Sequence, residues 1–168
     1  MNSFDGEHIE VEPFDREYTI EELLHRDVLG NLSRGSAAIL PGQWAVLTDT
    51  GHCHYAFGTW QPGVLETMEA AIIHRHPDDE TAIDHGDDDI ILLFPVEYEL
   101  EIKGYLGIHA GADDEAHCRG LGRAGLNLFK QLMRLTHQTM LTSGLHGHVV
   151  EESYAELKNK TELLARSE

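Results

Sequence analysis

The spacing of apolar and polar positions predicts that the chain opens its folded part with a helix. The apolar stripe of this helix consists of Ile20, Leu23, Leu24, Val28 and Leu32. Glu22 follows Thr19 by three residues, and such a pair forms a capping box at a helix start. The pattern therefore predicts one helix from Thr19 to near Gly35.

Short apolar runs predict a hairpin and a second helix. Trp44–Thr48 and residues 52–57 are strand-like and flank a tight turn at residues 49–51. Pro62 suits the first turn of a helix, which apolar residues then continue to Pro77. We expect the two strands to pair antiparallel.

The middle of the chain predicts an acidic loop followed by three strands. Residues 78–89 hold seven acidic residues and no basic one, which is typical of a solvated loop. Residues 90–94 form a continuous apolar run, the pattern of a strand buried on both faces, which Pro95 kinks or ends. Residues 97–101 and 104–110 are predicted as the next two strands, with a turn near Lys103.

A long helix is predicted after residues 113–115, with two apolar stripes. The first stripe contains Leu121, Leu128, Leu132 and Leu135, and the second contains Leu126, Phe129, Met133 and Met140. Gly144 and Gly147 are expected to weaken the helix before it resumes. Two stripes indicate two partners, the sheet of the same chain and, most simply, a second copy of the helix.

The end of the chain carries the seam of a two-stranded coiled coil. Its core positions, in 4-3 spacing, are Val150, Tyr154, Leu157, Thr161 and Leu164. No helix-stop signal follows Leu164, so we expect a connector to an output domain that this chain lacks. The alternative is a terminal helix packed on its own domain. The seam predicts a parallel homodimer.

This order of elements predicts an α+β fold with a central antiparallel sheet of about five to six strands flanked by helices. We expect three regions. Residues 1–17 form a flexible acidic arm, residues 18–143 form the α+β domain, and residues 144–168 form a C-terminal helix that leads out of it.

The net charge of the chain disfavours several classes of binding partner. The 168 residues carry a net charge of -18 with histidine neutral, which disfavours binding to nucleic acid and to anionic membrane surfaces. The sequence shows neither a signal peptide nor an apolar run of 18 residues, which predicts a cytoplasmic chain with no membrane insertion. The two cysteines, Cys53 and Cys118, are expected to be free thiols.

Histidine is unusually frequent, with 12 residues. His52 and His54 alternate on a predicted strand and so share a face, where neutral imidazoles could hold a metal ion. A fuller ligand set would need His109 and Cys118 from separate segments. We expect solvated or core histidines and no metal, with a histidine-rich metal sensor as the alternative, and the sequence identifies no cofactor.

Three short motifs resemble the GAF family of small-molecule sensor domains, which is close in architecture to PAS domains. These are the hairpin sequence at residues 44–51, the apolar-proline-apolar turn at residues 93–96, and the glycine-rich strand at residues 104–109. Residues 156–168 resemble linkers of bacterial sensor kinases and cyclic-dinucleotide enzymes. The resemblance implies a dimeric, non-catalytic input module of a histidine kinase or cyclic-dinucleotide enzyme.

The predicted function is to bind a small molecule and relay the signal through the dimeric helix to a downstream domain. Trp60, Phe94, Tyr105 and His109 are the candidate pocket residues, since pockets combine aromatic side chains with a few polar groups. Tyr105 and His109 share a strand face, where they meet either a polar ligand or partners in the protein. The alternatives are a ligand-free dimerisation scaffold and, least favoured because no catalytic pair is recognisable, an enzyme.

Overall fold

The computed structural model describes residues 16–35 and 43–165, and the fold is α+β, as predicted. It contains a five-stranded antiparallel sheet and helices, the last of which is 51 residues long. The elements are α1 Ile20–Leu23, α2 Arg26–Gly35, β1 Trp44–Thr48, β2 Cys53–Phe57, α3 Val64–Arg75, β3 Thr81–Asp84, β4 Asp89–Tyr98, β5 Glu101–Gly111, a 3₁₀ turn Ala112–Asp114 and α4 Glu115–Ala165. Within these residues no helix is long and apolar enough to cross a membrane.

The described residues divide into two compact units. One unit comprises residues 18–136 and contains the entire sheet. The other contains residues 137–165 of α4 together with Arg16 and Glu17. The rest of the acidic arm predicted at residues 1–17 lies outside the described residues.

The sheet has the strand order β2-β1-β5-β4-β3, and every neighbouring pair is antiparallel. The predicted hairpin is confirmed, because β1 pairs with β2 across the turn at residues 49–51. β5 lies at the centre between β1 and β4, so the last strand in sequence joins the two hairpins. Side chains at alternate positions of these strands therefore face opposite sides of one continuous sheet.

Each face of the sheet is covered by helices. On one side, which we call the α4 face, alternate strand residues such as Leu92 and Phe94 pack with α1, α2 and the α4 residues Phe129 and Met133. On the other side, the α3 face, Leu47 and Leu93 pack with Met68 and Ile72 of α3. Residues 90–94 are buried throughout, which confirms the prediction of a strand covered on both faces.

The first predicted helix is two helices. The capping box is present, since the Glu22 amide donates to Thr19 Oγ1 at 3.4 Å and the Thr19 amide donates to Glu22 Oε2 at 3.3 Å. The chain leaves the helical conformation at Leu24, however, and the prediction of a single helix was wrong. The carbonyl of Leu24 lies 2.7 Å from His54 Nε2, so a side chain of β2 satisfies a backbone group at the break.

The prediction of a loop throughout residues 78–89 was also wrong, and of the two outcomes predicted for Pro95 the end of the strand does not occur. The acidic loop contains β3, whose Thr81 and Ile83 are partly buried while Ala82 and Asp84 are exposed. Pro95 does not end β4, which continues to Tyr98. The pairing of β3 with β4 stops at Leu93, so Pro95 lies where β4 has no neighbour on that side. A proline, which lacks an amide hydrogen, is tolerated at such an edge.

The turn between β4 and β5 lies at Glu99 and Leu100, rather than near Lys103 as predicted. Both residues have positive φ angles, of 52° and 67°. Two-residue hairpin turns of this kind favour asparagine and glycine, which are absent here. The predicted strands at residues 97–101 and 104–110 are therefore the end of β4 and most of β5.

Candidate functional site

The four predicted pocket residues lie on two sides of the sheet. Tyr105 belongs to the core of the α3 face, against which Trp60 packs. His109 lies four residues further along β5 on the same face, opposite Ile91, so the predicted sharing of a face by Tyr105 and His109 is confirmed. Phe94 lies in the core of the α4 face. These residues do not line one common pocket.

Tyr105 has its polar group satisfied by the protein. Its hydroxyl donates to the carbonyl of Pro77 at 2.8 Å, and the side chain is buried. Burial raises the pKa of Tyr105, and the negative charges of Asp49 and Asp78 raise the pKa further. The phenol is therefore held neutral by its surroundings.

We predict that Tyr105→Phe lowers the free energy of unfolding by about 1–2 kcal/mol at neutral pH, because the buried Pro77 carbonyl loses its donor. Because the pKa of Tyr105 is raised in the folded state, the folded protein keeps the phenol proton to a higher pH than the unfolded chain does. Wild-type stability should therefore fall as the pH rises above about 10, where the unfolded chain releases that proton first. Urea titrations at pH 8 and pH 10.5 should show a smaller pH-dependent loss in Tyr105→Phe.

Tyr154→Phe is the control for this measurement, because it removes one hydroxyl that is exposed in the single chain and keeps the aromatic ring at its position in the predicted seam. It should change the free energy of unfolding at pH 8 less than Tyr105→Phe does. An equal change in the two variants would contradict the assigned role of the Tyr105 hydroxyl.

His109 lies at the centre of a polar cluster on the α3 face. Its Nδ1 lies 2.7 Å from Gln43 Oε1 and its Nε2 lies 3.3 Å from Asp89 Oδ2. Gln43 donates from Nε2 to the carbonyl of Thr59 at 2.5 Å, which fixes the orientation of the amide. The His109 side chain is only 7% exposed, so both ring nitrogens meet oxygen atoms in a nearly buried site.

Two aromatic rings complete this cluster. The Trp60 ring stacks on His109 with 6.5 Å between centroids, and His85 approaches edge-on at 6.0 Å. Trp60 Nε1 is buried and has no hydrogen-bond partner within residues 16–35 and 43–165. Both ring nitrogens of His109 have oxygen partners within the described residues, so His109 offers no free ring nitrogen for a ligand in this arrangement.

An open cleft of about 280 Å³ lies on the α4 face. One wall is β4 from Phe94 to Glu97, beyond the end of β3, and the opposite wall is one turn of α4. The segment before β3 supplies the rim. The lining consists of Asp78, Asp79, Glu80, Phe94, Pro95, Val96, Glu97, Leu126, Asn127 and Lys130. Phe94 is thus the predicted pocket residue that reaches this cleft.

An ion-pair network fastens the rim of the cleft to α4. Glu80 accepts hydrogen bonds from Arg119 Nη1 at 2.6 Å and from Arg123 Nε at 2.9 Å. Arg119 also donates to Glu115 at 2.7 Å. Partial burial opposes ionisation of Glu80, but the bonds from Arg123 and Arg119 outweigh it and lower the pKa of this carboxyl. The four charges cancel within the network.

The histidine and cysteine positions do not assemble a metal centre in the described residues. His54 contacts the Leu24 carbonyl, His109 lies on the α3 face, and Cys118 is buried on the α4 face. Within the described ranges no group of three histidine, cysteine or acidic side chains is placed to hold a metal ion. Cys53 and Cys118 are both free, and burial raises the pKa of each thiol.

The burial of apolar side chains changes along the length of α4. Cys118, Phe129 and Met133 are buried, whereas large apolar residues are exposed further along the helix. Gly144 and Gly147 do not interrupt it. Of the predicted seam, Val150, Tyr154 and Leu157 are 53%, 74% and 64% exposed, Thr161 is also exposed, and the side chain of Leu164 lies outside the described ones. Within the described residues this apolar face is therefore uncovered.

Several residues of these sites were not predicted from the sequence. Gln43 and Asp89 hold His109 from 66 and 20 residues away, and Asn127 and Lys130 line the cleft from a helix that the sequence analysis assigned to packing. Comparison of the chain with protein-family models, curated proteins and solved structures finds no match.

Proposed function

We propose that this domain is the sensory module of a cytoplasmic signalling protein. It binds a small molecule and relays binding through a parallel dimer of α4 to a downstream signalling domain. The α+β architecture and the three GAF-like motifs support this proposal. The module does no chemistry on its ligand in this proposal.

The observation that carries the proposal is that a single helix contributes to both functions. Leu126, Asn127 and Lys130 of α4 line the cleft, and the same helix continues to Ala165 through the exposed apolar residues that begin the predicted seam. A ligand in the cleft contacts α4 directly. It favours one packing of the paired helices to the extent that it binds that packing more tightly.

A ligand-free dimerisation scaffold is the second candidate, and one observation favours it. The core of each sheet face is filled by side chains of the chain itself, and Tyr105 and His109 both have partners in the protein. In that case α4 would pair without responding to any compound.

A thermal-shift screen of bacterial metabolites separates the two candidates. It should be run on the wild type and on Asn127→Trp, which places a large ring at the exposed lip of the cleft. Ala124→Trp, an exposed position on the same helix outside the cleft lining, is the matched control. The sensor proposal predicts a compound that stabilises the wild type and Ala124→Trp but not Asn127→Trp.

If no compound stabilises the wild type while the protein remains dimeric, the scaffold replaces the sensor. If a compound stabilises all three proteins equally, a ligand exists but its site is elsewhere. Either result would contradict the placement of sensing in this cleft.

A further inference from the structure

The cleft presents charges of both signs that have no counterpart in the described part of the chain. Glu80 is occupied by Arg119 and Arg123, which leaves Asp78, Asp79, Glu97 and Lys130 as the charged side chains of the lining. None of these four side chains takes part in a hydrogen bond or ion pair with the described part of the chain. The side-chain amide of Asn127 likewise takes part in no hydrogen bond with the described part of the chain.

The charged side chains without a partner lie on different elements of the fold. Asp78 and Asp79 lie on the segment before β3, and Glu97 lies near the end of β4. Lys130 and Asn127 lie on α4, three residues apart and hence on one side of the helix. The cleft thus has one wall with a cationic and an amide group, and a rim and a second wall with carboxylates.

Between these polar groups the lining is apolar. Phe94, Pro95, Val96 and Leu126 belong to the lining, and Phe94 and Val96 are part of the buried core. The volume of about 280 Å³ lies just below the usual range for ligand pockets. A compact molecule with a short apolar body matches these dimensions.

We infer that the cleft binds a small zwitterion with an apolar side chain, of the class of free aliphatic α-amino acids. The inference rests on the proposed function and names the ligand class of the same site. The ammonium group of the ligand pairs with Asp78, Asp79 or Glu97, and its carboxylate pairs with Lys130 and Asn127. The apolar side chain lies against Pro95 and Leu126.

Simple ions match this lining less well. A plain amine leaves Lys130 beside a bound positive charge, and a plain carboxylate places a negative charge among three acids. Like charges at close range are unfavourable, whereas a zwitterion gives both kinds of group an opposite partner. A zwitterion also bridges the segment before β3 to α4, which makes the occupied cleft a second tie to the helix besides the Glu80 network.

The test uses three molecules with the same apolar body. Isothermal titration calorimetry should compare L-leucine, 3-methylbutylamine and 4-methylpentanoate on the dimeric wild type at low ionic strength. L-leucine is expected to bind at least about tenfold more tightly than either single-charge analogue, a difference of about 1.4 kcal/mol.

Variants identify the charges involved. Lys130→Gln and the double variant Asp78→Asn with Asp79→Asn should each weaken L-leucine binding by at least about tenfold. Lys130→Gln should leave 3-methylbutylamine binding unchanged or stronger. Lys158→Gln, an exposed lysine further along α4, is the control and should bind L-leucine as the wild type does.

Three results would overturn the inference. Binding of the amine as tight as that of L-leucine would identify a cation site, and tight binding of 4-methylpentanoate would identify an anion site. If none of the three binds, the zwitterion class is wrong. The metabolite screen then tests the sensor proposal separately. A compound of another class that stabilises the wild type but not Asn127→Trp would support the sensor function even though the zwitterion inference is wrong.

Discussion

Val150→Asp is expected to convert the proposed α4 dimer to a monomer at micromolar concentration. Val150 is an apolar, 53% exposed residue at the start of the 4-3 pattern on α4. In a parallel pair it meets its own copy, so the substitution places two carboxylates opposite each other and removes apolar contact. Like charges juxtaposed in an interface cost several kcal/mol. We expect the dissociation constant to rise at least about a hundredfold by sedimentation equilibrium.

The neighbouring residue provides the control for this prediction. Val149 has the same side chain and a similar exposure of 57%, but it lies about 100° around the helix from Val150. Val149→Asp should therefore leave the dimer intact. Equal loss of dimer in both variants would show that the interface uses another face of α4, and retention in both would show that α4 does not form the interface.

Gly122→Ala and Gly120→Ala are expected to change stability in opposite directions. A Cβ atom at Gly122 would overlap the ring of Phe94, which is fully buried and has little room to move. A Cβ atom at Gly120 would meet no other atom within 4 Å. Both residues lie in α4 and gain the same helix propensity from alanine, about 0.5–1 kcal/mol.

The difference between the two variants therefore isolates the overlap with Phe94. Overpacking a buried site costs about 1–3 kcal/mol, so Gly122→Ala should be less stable than Gly120→Ala by about that amount. Denaturant unfolding at equal protein concentration is the appropriate measurement, since dimerisation would contribute to stability. Equal stability of the two variants would contradict the close approach of α4 to β4 at the wall of the cleft.

Local signals in the sequence were sufficient for several elements. Thr19 and Glu22 predicted the start of α1 because a capping box involves only neighbouring residues. The turn at residues 49–51 between two apolar runs predicted the first hairpin for the same reason. Alternation along β5 placed Tyr105 and His109 on one face, because a strand has a period of two residues.

Elements that depend on distant contacts were missed. β3 is short and lies within an acidic stretch, and it forms because Ile83 can pack at the edge of β4. Pro95 was expected to kink or end its strand; the strand continues, because β3 stops before Pro95 and leaves no neighbouring strand on that side that needs an amide hydrogen. The turn at Glu99 and Leu100 lacks the residues that normally mark one.

The site was predicted in part. The continuous apolar run at residues 90–94 has no polar alternation, so the sequence did not indicate that Phe94 faces α4 while Tyr105 faces α3. Likewise, the partners of His109 and Tyr105 come from segments 20 to 66 residues away, which no local pattern reveals. The cleft arises where an edge of β4 meets α4, and it too has no local signature.

The central claim is that paired α4 helices respond to a ligand in the cleft. The most direct test is electron-spin distance measurement between two copies, with spin labels on cysteines introduced at Ser153 or at Lys160. The native cysteines are replaced by Cys53→Ser and Cys118→Ala. These two positions are seven residues apart, so a parallel pair should give nearly equal intersubunit distances at both. An antiparallel pair would give distances that differ by up to about 21 Å.

We predict equal distances that shift together when the most stabilising compound of the screen is added, and no shift in the Asn127→Trp background. Unequal distances, no intersubunit distance, or a distribution that the compound leaves unchanged would contradict it.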